Sequence, residues 1–452
     1  MAQCAMQGDK PAYVFLRDDL SVAESFDFAR LGLEVRELAG RLGTVVPVGG
    51  RVLLAFPPGL DFVRAFWACL QAGCVAVPVP SPDPVRLLHG VPRLRGIIED
   101  TGAALVLTSG DLLEAARRVL EPALWAMAPW MALADLPAAA TASSATAPAA
   151  VASDGDALAY LQYTSGSTTV PRGVRITHAQ AIANVHALNE VGGVAPDSRS
   201  LVWLPHFHDY GLVHGVLAPM VAGVTSWLMS PLTFLRRPLR WLDALAALRI
   251  THSGAPASAY VACLRALDGR PLERDLSGLV SLNCGAEPIR ADTVAEVLAV
   301  FGAAGMRREA FMPAYGLAEA VLGVSASPRD RLAATLALDA RALARDRVVP
   351  VATATATVDA AGVRVLAGCG RPLRDTEILI VDPVTLHRAE ADAVGEIWVG
   401  APGVGDGYWR QSGPSDATFD ARLADAPADG RAFLRTGDLG FVHGGELFVT
   451  GR

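Results

Sequence analysis

The feature that most constrains this fold is an alternation of short apolar runs with longer amphipathic stretches, which begins near residue 50. Residues 51–56 predict a strand, residues 59–72 predict a helix, and residues 74–79 predict a second strand. Further strands are predicted at residues 104–108 and 158–163. Strands that alternate with helices in this way predict βαβ units, in which helices cover both faces of a parallel sheet.

This pattern changes at two places along the chain. Residues 137–153 are nearly all Ala, Ser, Thr and Pro, which predicts a low-complexity surface loop. After about residue 345 long helical patterns give way to short β-branched runs, at residues 363–365, 377–381, 396–399 and 446–449. We therefore predict an α/β chain: two parallel-sheet βαβ subdomains with flanking helices over residues 1–345, and a smaller antiparallel β subdomain over residues 346–452.

Composition excludes several classes of protein. The chain has 39 Lys and Arg against 46 Asp and Glu, a net charge of −7, which argues against a protein that coats nucleic acid. Six scattered Cys without a CxxC pair indicate a reducing, cytoplasmic location, and the N-terminus lacks the apolar run of a signal peptide. Gly and Pro interrupt the uncharged stretch between Asp209 and Arg236, so we expect no membrane span.

The most informative segment is residues 163–173, Tyr-Thr-Ser-Gly-Ser-Thr-Thr-Val-Pro-Arg-Gly. It follows a predicted strand and combines five hydroxyl residues with Gly166 and Gly173. Such a loop can direct backbone N–H groups and hydroxyls towards phosphate oxygens, and Arg172 can add a charge-assisted contact. By composition alone, a plain Ser/Thr-rich turn remains an equal alternative.

The segment resembles the phosphate-binding signature of the adenylate-forming superfamily, which comprises acyl-CoA ligases, luciferases and nonribosomal adenylation domains. Thr169 stands where that signature usually has Gly, and Arg172 stands where it usually has Lys. This relaxed end of the loop is similar to that of the fatty acyl-AMP ligase branch.

Further motifs resemble those of the superfamily and occur in its order. They are Trp-Leu-Pro-His-Phe-His-Asp-Tyr-Gly-Leu at 203–212, Asn-Cys-Gly-Ala-Glu-Pro at 283–288, Tyr-Gly-Leu-Ala-Glu at 315–319, Gly-Glu-Ile-Trp-Val at 395–399, Thr-Gly-Asp at 436–438 and Gly-Arg at 451–452. One such motif is weakly specific, whereas the ordered set is strong. The resemblance covers about residues 20–452.

The resemblance implies an enzyme that uses ATP and Mg²⁺ to convert a medium- or long-chain fatty acid to acyl-AMP, with release of pyrophosphate. The acyl group would then pass to the phosphopantetheine of a holo acyl carrier protein. The residues that the resemblance assigns to ATP are Thr164, Ser165, Gly166, Ser167, Thr168, Arg172, Gly285, Ala286, Glu287, Tyr315, Gly316, Asp438 and Arg452.

The same resemblance assigns a catalytic set of His208, Glu319 and Thr164. His208 would position the acyl carboxylate, with Asp209 as a second substrate contact. Glu319 would hold Mg²⁺, a hard cation that prefers oxygen ligands, and Thr168 would be a weaker ligand. Asp438 would accept hydrogen bonds from both ribose hydroxyls, which suits a carboxylate.

Two alternatives stay open at this point: an acyl-CoA ligase of the same fold, and a catalytically weak module that binds acyl-adenylate. The chain has one Lys, Lys10, which lies ahead of every motif. In the superfamily a small C-terminal domain beyond the hinge carries the Lys that assists adenylation. Because the sequence stops at Arg452, we expect that domain to be absent, with ligand binding retained and turnover reduced.

Overall fold

A computed structural model describes residues 2–81, 87–138, 155–164, 171–352, 362–427 and 430–452. The predicted low-complexity loop therefore lies almost entirely outside the described residues. The strands are β1 (Pro11–Leu16), β2 (Val22–Asp27), β3 (Arg51–Leu54), β4 (Val75–Pro78), β5 (Leu105–Thr108), β6 (Trp130–Ala132), β7 (Leu158–Tyr163), β8 (Gly173–Thr177), β9 (Arg199–Val202), β10 (Thr225–Met229), β11 (His252–Pro256), β12 (Ser281–Gly285), β13 (Phe311–Gly316), β14 (Gly323–Ala326), β15 (Thr335–Asp339), β16 (Val363–Ala367), β17 (Arg371–Pro372), β18 (Glu377–Val381), β19 (Gly395–Gly400), β20 (Leu434–His443) and β21 (Glu446–Gly451).

Helices connect most of these strands. They are α1 (Ala2–Gln7), α2 (Phe28–Leu42), α3 (Leu60–Gln71), α4 (Leu87–Thr101), α5 (Gly110–Val119), α6 (Pro122–Trp125), α7 (His178–Gly192), α8 (Asp209–Leu212), α9 (Ala218–Ala222), α10 (Pro231–Arg236), α11 (Leu239–Ala247), α12 (Ala257–Leu267), α13 (Ala291–Ala303), α14 (Ala340–Leu343) and α15 (Ser412–Phe419). Short 3₁₀ turns occur at Leu133–Asp135, Arg308–Ala310 and Ala318–Ala320, and Val213–Leu217 form a π-helix. Within the described ranges, no helix combines the length and the apolarity needed to cross a bilayer.

Two compact units divide the chain. The first unit comprises residues 1–182, 202–231 and 405–412. Its larger sheet has the order β6-β5-β3-β4-β7-β8, parallel except for the antiparallel pair β7–β8. In addition, β1 pairs in parallel with β10 and antiparallel with β2. The central strands are buried on both faces and are therefore continuously apolar, which is typical of parallel sheets.

The second unit comprises residues 183–201, 232–404 and 413–452. Its strands β9, β11, β12 and β13 pair in parallel, and β14 and β17 extend that sheet with antiparallel pairing. A separate antiparallel sheet has the order β18-β19-β20-β21, and β15 pairs with β16. Ile397 and Val399 of β19 pack with Leu434 of β20 and Leu447 of β21, which forms the core below this smaller sheet.

The predicted fold class is confirmed: parallel sheets with flanking helices occur together with a small antiparallel sheet. Strand β12 begins at Ser281 and not at the preceding apolar residues 279–280, because Leu279 closes a turn by donating its N–H to the carbonyl of Leu276. The predicted strand pattern begins near residue 50 and does not include β1 and β2. These two strands pair locally with each other, and β1 also pairs with β10 much later in the sequence.

Candidate active site

In the second unit the predicted nucleotide motifs lie at the carboxyl ends of parallel strands. Gly285 ends β12, and Gly316 ends the neighbouring strand β13. Ligands of open α/β sheets bind outside this edge of the strands. An added Cβ on Gly316 would lie 1.8 Å from the carbonyl oxygen of Leu322, so only glycine fits there. Ala286, which follows Gly285, has φ +65°, a backbone conformation that non-glycine residues seldom adopt.

Glu287 is among the residues that the resemblance assigns to ATP, and in the structure both of its carboxylate oxygens accept from Ser258. Oε2 accepts the backbone N–H of Ser258 at 2.8 Å, and Oε1 accepts its hydroxyl at 3.0 Å. Ser258 lies in the first turn of α12, where backbone N–H groups have no partner within the helix. The contacts therefore give Glu287 the role of a helix cap.

We predict that Glu287→Ala lowers the free energy of unfolding by about 1 kcal/mol, the usual loss for a helix N-cap. The KM for ATP is expected to stay within about twofold of wild type, because the carboxylate serves α12. Urea denaturation and steady-state kinetics measure the two quantities, and Glu287→Gln, which keeps one acceptor oxygen, is the matched control. A raised KM for ATP with unchanged stability would instead place Glu287 at the adenine.

Three predicted residues meet in one cluster of the second unit. The Tyr315 hydroxyl donates to Asp438 Oδ2 at 2.7 Å, and Arg452 Nε lies 3.5 Å from Asp438 Oδ1. Burial, followed by the charge of Asp438, raises the pKa of Tyr315 well above its ordinary value, so the phenol remains a donor. Each carboxylate oxygen has two lone pairs, and Asp438 therefore keeps capacity for further donors such as sugar hydroxyls.

The part of β20 that carries Asp438 is held from the neighbouring strand β19. Thr436 Oγ1 donates to the Ile397 carbonyl at 2.7 Å and accepts from the Asp438 N–H at 3.1 Å. Gly437, at φ +71°, donates its N–H to Glu396 Oε1 at 3.2 Å. These contacts fix the backbone on both sides of the Asp438 carboxylate.

Glu396 is a functional support that the sequence reasoning did not single out. It is 5% exposed and accepts from Arg435 Nη2 at 2.7 Å and from Trp398 Nε1 at 3.1 Å. A buried carboxylate needs such pairing, since an unpaired buried charge is costly. A signal was present in the sequence: Glu396 lies inside the Gly-Glu-Ile-Trp-Val motif, which had been used only to place a strand.

Glu319 lies on the 3₁₀ turn after β13, next to a strained residue. Val321 has φ +64°, and the Leu322 N–H donates to the Ala320 carbonyl at 2.7 Å, which makes a γ-turn of the rare positive-φ form. Within the described residues, no cluster of three or more acidic, His or Cys side chains forms a metal cage. One carboxylate on a half-buried turn suits Mg²⁺ that arrives on phosphate oxygens and keeps several waters.

In the first unit, the described ends of the predicted phosphate loop close the β7–β8 hairpin. The Thr164 N–H donates to the Arg172 carbonyl at 3.1 Å. The Arg172 guanidinium carbon lies 5.3 Å from the ring centroid of Tyr408, a cation–π contact. The predicted phosphate ligands Ser165, Gly166, Ser167 and Thr168 lie outside the described residues.

His208 and Asp209 form an ion pair at the start of α8. His208 Nδ1 lies 2.5 Å from Asp209 Oδ1, and the Tyr210 N–H donates to the same oxygen at 2.6 Å. A carboxylate only accepts, so Nδ1 must carry the hydrogen. For that reason the longer approach of the Tyr210 N–H to Nδ1, 3.3 Å, is not the bond that forms. Nε2 of the ring is left to face a substrate.

The hydrogen bond to Asp209 raises the pKa of His208, and burial and the charge of Arg93 oppose that rise. His206, two residues earlier, differs: burial lowers its pKa to about 4, and its ring stacks on Phe62 at 3.9 Å. His206 is therefore a neutral packing residue. Gln162, buried on β7 and not predicted, donates to the Phe207 carbonyl at 2.9 Å and so fixes the segment between the two histidines.

Comparisons with known proteins fit this arrangement. The sequence profile of the family described as AMP-binding enzyme matches residues 1–409. The medium-chain-fatty-acid–acyl-carrier-protein ligase JamA of Moorena producens (strain JHB) is 40% identical over 451 residues, covering 99% of this chain and 74% of JamA. The 4-hydroxyphenylalkanoate adenylyltransferase of Mycobacterium bovis is 34% identical, covering 98% of this chain and 72% of that protein.

A solved structure gives the same fold. The fatty acyl-adenylate ligase from L. pneumophila, crystallised in complex with acyl adenylate and pyrophosphate, superposes with a TM-score of 0.86 at 32% identity. The match covers 100% of this chain and 76% of that one.

Proposed function

Since this chain belongs to the family of AMP-binding enzymes, we propose that it is a fatty acyl-AMP ligase, which activates a medium- or long-chain fatty acid with ATP. The observation that carries the proposal is the His208–Asp209 pair. Asp209 is buried and accepts through Oδ1 from His208 Nδ1 and from the Tyr210 N–H, so its carboxylate orients the imidazole. Asp209 raises the pKa of His208, which favours the charged ring that would suit a carboxylate. The buried Val213–Leu217 segment that follows is mostly apolar.

In the proposed reaction a carboxylate oxygen of the fatty acid attacks the α-phosphorus of ATP. A new acyl–phosphate bond forms, the bond from the α-phosphorus to the bridging oxygen breaks, and pyrophosphate leaves with the electron pair. Both reactants are anions, so the protein must align them and neutralise the charge that builds on phosphate oxygens. No proton is transferred to or from the reacting atoms.

The described residues support separate roles within this reaction. His208 positions the carboxylate, with Asp209 holding its ring. Asp438 binds the ribose hydroxyls, and Tyr315, as donor to Asp438, lies at the nucleoside. Gly285, Ala286, Gly316 and Arg452 complete the nucleotide contacts of the second unit, and Thr164 and Arg172 begin and end the phosphate loop.

Mg²⁺ would supply charge neutralisation on the phosphates when it arrives with ATP. Glu319 provides a carboxylate oxygen for that ion, and the predicted Thr168 hydroxyl would be a weaker ligand. The four loop residues 165–168 are retained as phosphate ligands on the resemblance of their motif.

For the second step we propose a holo acyl carrier protein as acceptor, whose phosphopantetheine thiol attacks the acyl carbon and releases AMP. JamA, by its name, is an acyl-carrier-protein ligase. We also propose a reducing, cytoplasmic location, since the six cysteines, all within the described residues, are buried and free of disulfides.

Acid-dependent exchange of labelled pyrophosphate into ATP tests the first step across fatty acids of increasing length and a panel of amino acids. We expect exchange with fatty acids and none with amino acids. Parallel transfer assays with holo carrier protein and coenzyme A test the second step. Faster formation of acyl-coenzyme A would make the protein an acyl-CoA ligase, and binding of acyl-AMP without any exchange would make it a binding module.

A further inference from the structure

We propose that Arg93, which lies outside every motif above, is a second cation of the phosphate site and contacts the β- and γ-phosphates of ATP and the leaving pyrophosphate. The proposal rests on the proposed function and adds a binding residue to it. Arg93 lies on α4, a helix predicted by no signature.

The first argument is contact with the described ends of the phosphate loop. Arg93 Nη2 donates to the carbonyl oxygen of Thr164 at 3.0 Å. One turn further along α4, Gly96 lies close below Pro171: a Cβ there would be 3.1 Å from the Pro171 ring. Helix α4 therefore contacts both described ends of the loop: Arg93 contacts Thr164, and Gly96 lies against Pro171.

The second argument is that the charge of Arg93 acts on His208. Two charged groups act on that ring: Asp209 raises its pKa and Arg93 lowers it. Arg93 is therefore near both Thr164 and the residue assigned to the carboxylate. Its side chain is exposed to solvent, and its five N–H donors exceed the single bond to Thr164. A guanidinium so placed can bind phosphate oxygens in a bidentate manner.

The third argument concerns the other cations of the first unit. Arg172 stands where the signature usually has Lys, and its guanidinium packs over the Tyr408 ring at 5.3 Å. Lys10 donates to the Gly223 carbonyl at 2.8 Å, at the end of α9. ATP and the fatty acid bring about five negative charges together, and charge on the transferring phosphoryl group calls for cations. Arg93 supplies such a cation next to Thr164, the described residue at which the loop begins.

The test compares Arg93→Gln with Arg95→Gln. Arg95 lies on the same helix two residues on and pairs with Glu121 at 2.9 Å, so it controls for loss of charge from α4. We expect Arg93→Gln to weaken binding of ATP and pyrophosphate about 10- to 100-fold, the loss of a charge-assisted bond. Arg95→Gln should change either affinity by less than about twofold. Arg93→Lys, which keeps the charge but not the bidentate fork, should recover only part of the affinity that Arg93→Gln loses.

A purely structural role for Arg93 makes a different prediction. If it only fixes Thr164, Arg93→Gln should weaken binding of AMP, which has one phosphate, as much as binding of pyrophosphate. That result, or no change in pyrophosphate affinity, would overturn the inference. Failure of the proposed function would show separately, as absence of acid-dependent acyl-AMP formation by the wild-type protein. Because Arg93 is exposed, all variants should fold, and thermal unfolding checks this.

Discussion

Replacing His208 with alanine is expected to lower kcat/KM for the fatty acid about 100- to 1000-fold, the usual effect of deleting one preorganised electrostatic contact. The Kd for ATP should remain within about threefold, because the imidazole serves the carboxylate. The structural reason is the pair with Asp209: Nδ1 donates to the carboxylate, so Nε2 is the ring nitrogen that remains to donate to a substrate when the ring is charged. Isothermal titration calorimetry measures the Kd for ATP, and the rate of pyrophosphate exchange at a series of acid concentrations measures kcat/KM for the fatty acid.

The pH dependence of this contact has a defined sign. The pKa of His208 is raised by Asp209, so the ring stays cationic to higher pH than a free histidine. The KM for the fatty acid should therefore rise as the pH increases through that raised pKa. Asp209→Asn removes the carboxylate charge, lowers the pKa of His208 and should move the rise to lower pH. The charged groups acting on the ring are Asp209 and Arg93, so Arg93 is left unchanged while Asp209 is substituted.

His206→Ala is the matched control for His208, since its ring is buried on Phe62 and neutral. It should lower thermal stability and leave the pH dependence of KM unchanged. If His208→Ala altered ATP affinity as strongly as acid turnover, or left acid turnover unchanged, the assignment of His208 to the carboxylate would be wrong.

Asp438→Ala is expected to weaken ATP binding about 100-fold or more, because two hydrogen bonds to a charged acceptor are lost. The wild-type protein should also discriminate against 2′-deoxy-ATP and 3′-deoxy-ATP by about tenfold each, one charge-assisted bond apiece. In Asp438→Ala this discrimination should disappear, since the variant has no acceptor for either hydroxyl. Competition binding with a fluorescent nucleotide measures the set.

Tyr315→Phe distinguishes the contribution of the Asp438 carboxylate to ATP affinity from that of the hydrogen bond that Tyr315 donates to it. It removes the donor to Oδ2 and leaves the Asp438 charge in place. We expect a loss in ATP affinity of about tenfold at most, with the discrimination against the deoxynucleotides retained. A variant Asp438→Ala that still discriminated between ATP and its deoxy forms would show that another residue holds the ribose.

Periodicity predicted the sheet strands well because burial on both faces leaves continuous apolar runs, as in β3, β4 and β5. Two of the predicted motif residues, Tyr315 on β13 and Asp438 on β20, are far apart in sequence and meet within hydrogen-bonding distance. These predictions need only local sequence, since each apolar run or motif consists of a few consecutive residues.

Other parts of the site depend on contacts that no short segment encodes. Glu287 matches a motif, yet Ser258 occupies its carboxylate. The Arg93 contact joins a helix without a signature to the loop 71 residues later. Residues 405–412 belong to the first unit because the Arg175 N–H donates to the Gly407 carbonyl, a pairing across more than two hundred residues. Single-sequence reasoning lacks the information for such pairs.

The central claim is tested most directly by a single-turnover experiment, with protein in molar excess over ATP, Mg²⁺ present and a medium-chain fatty acid added. Mass spectrometry then measures acyl-AMP. We predict acyl-AMP and pyrophosphate in equal amounts, dependent on the acid and strongly reduced in His208→Ala. If no acyl-AMP forms under these conditions, and a non-hydrolysable acyl-AMP analogue does not bind, the account is contradicted.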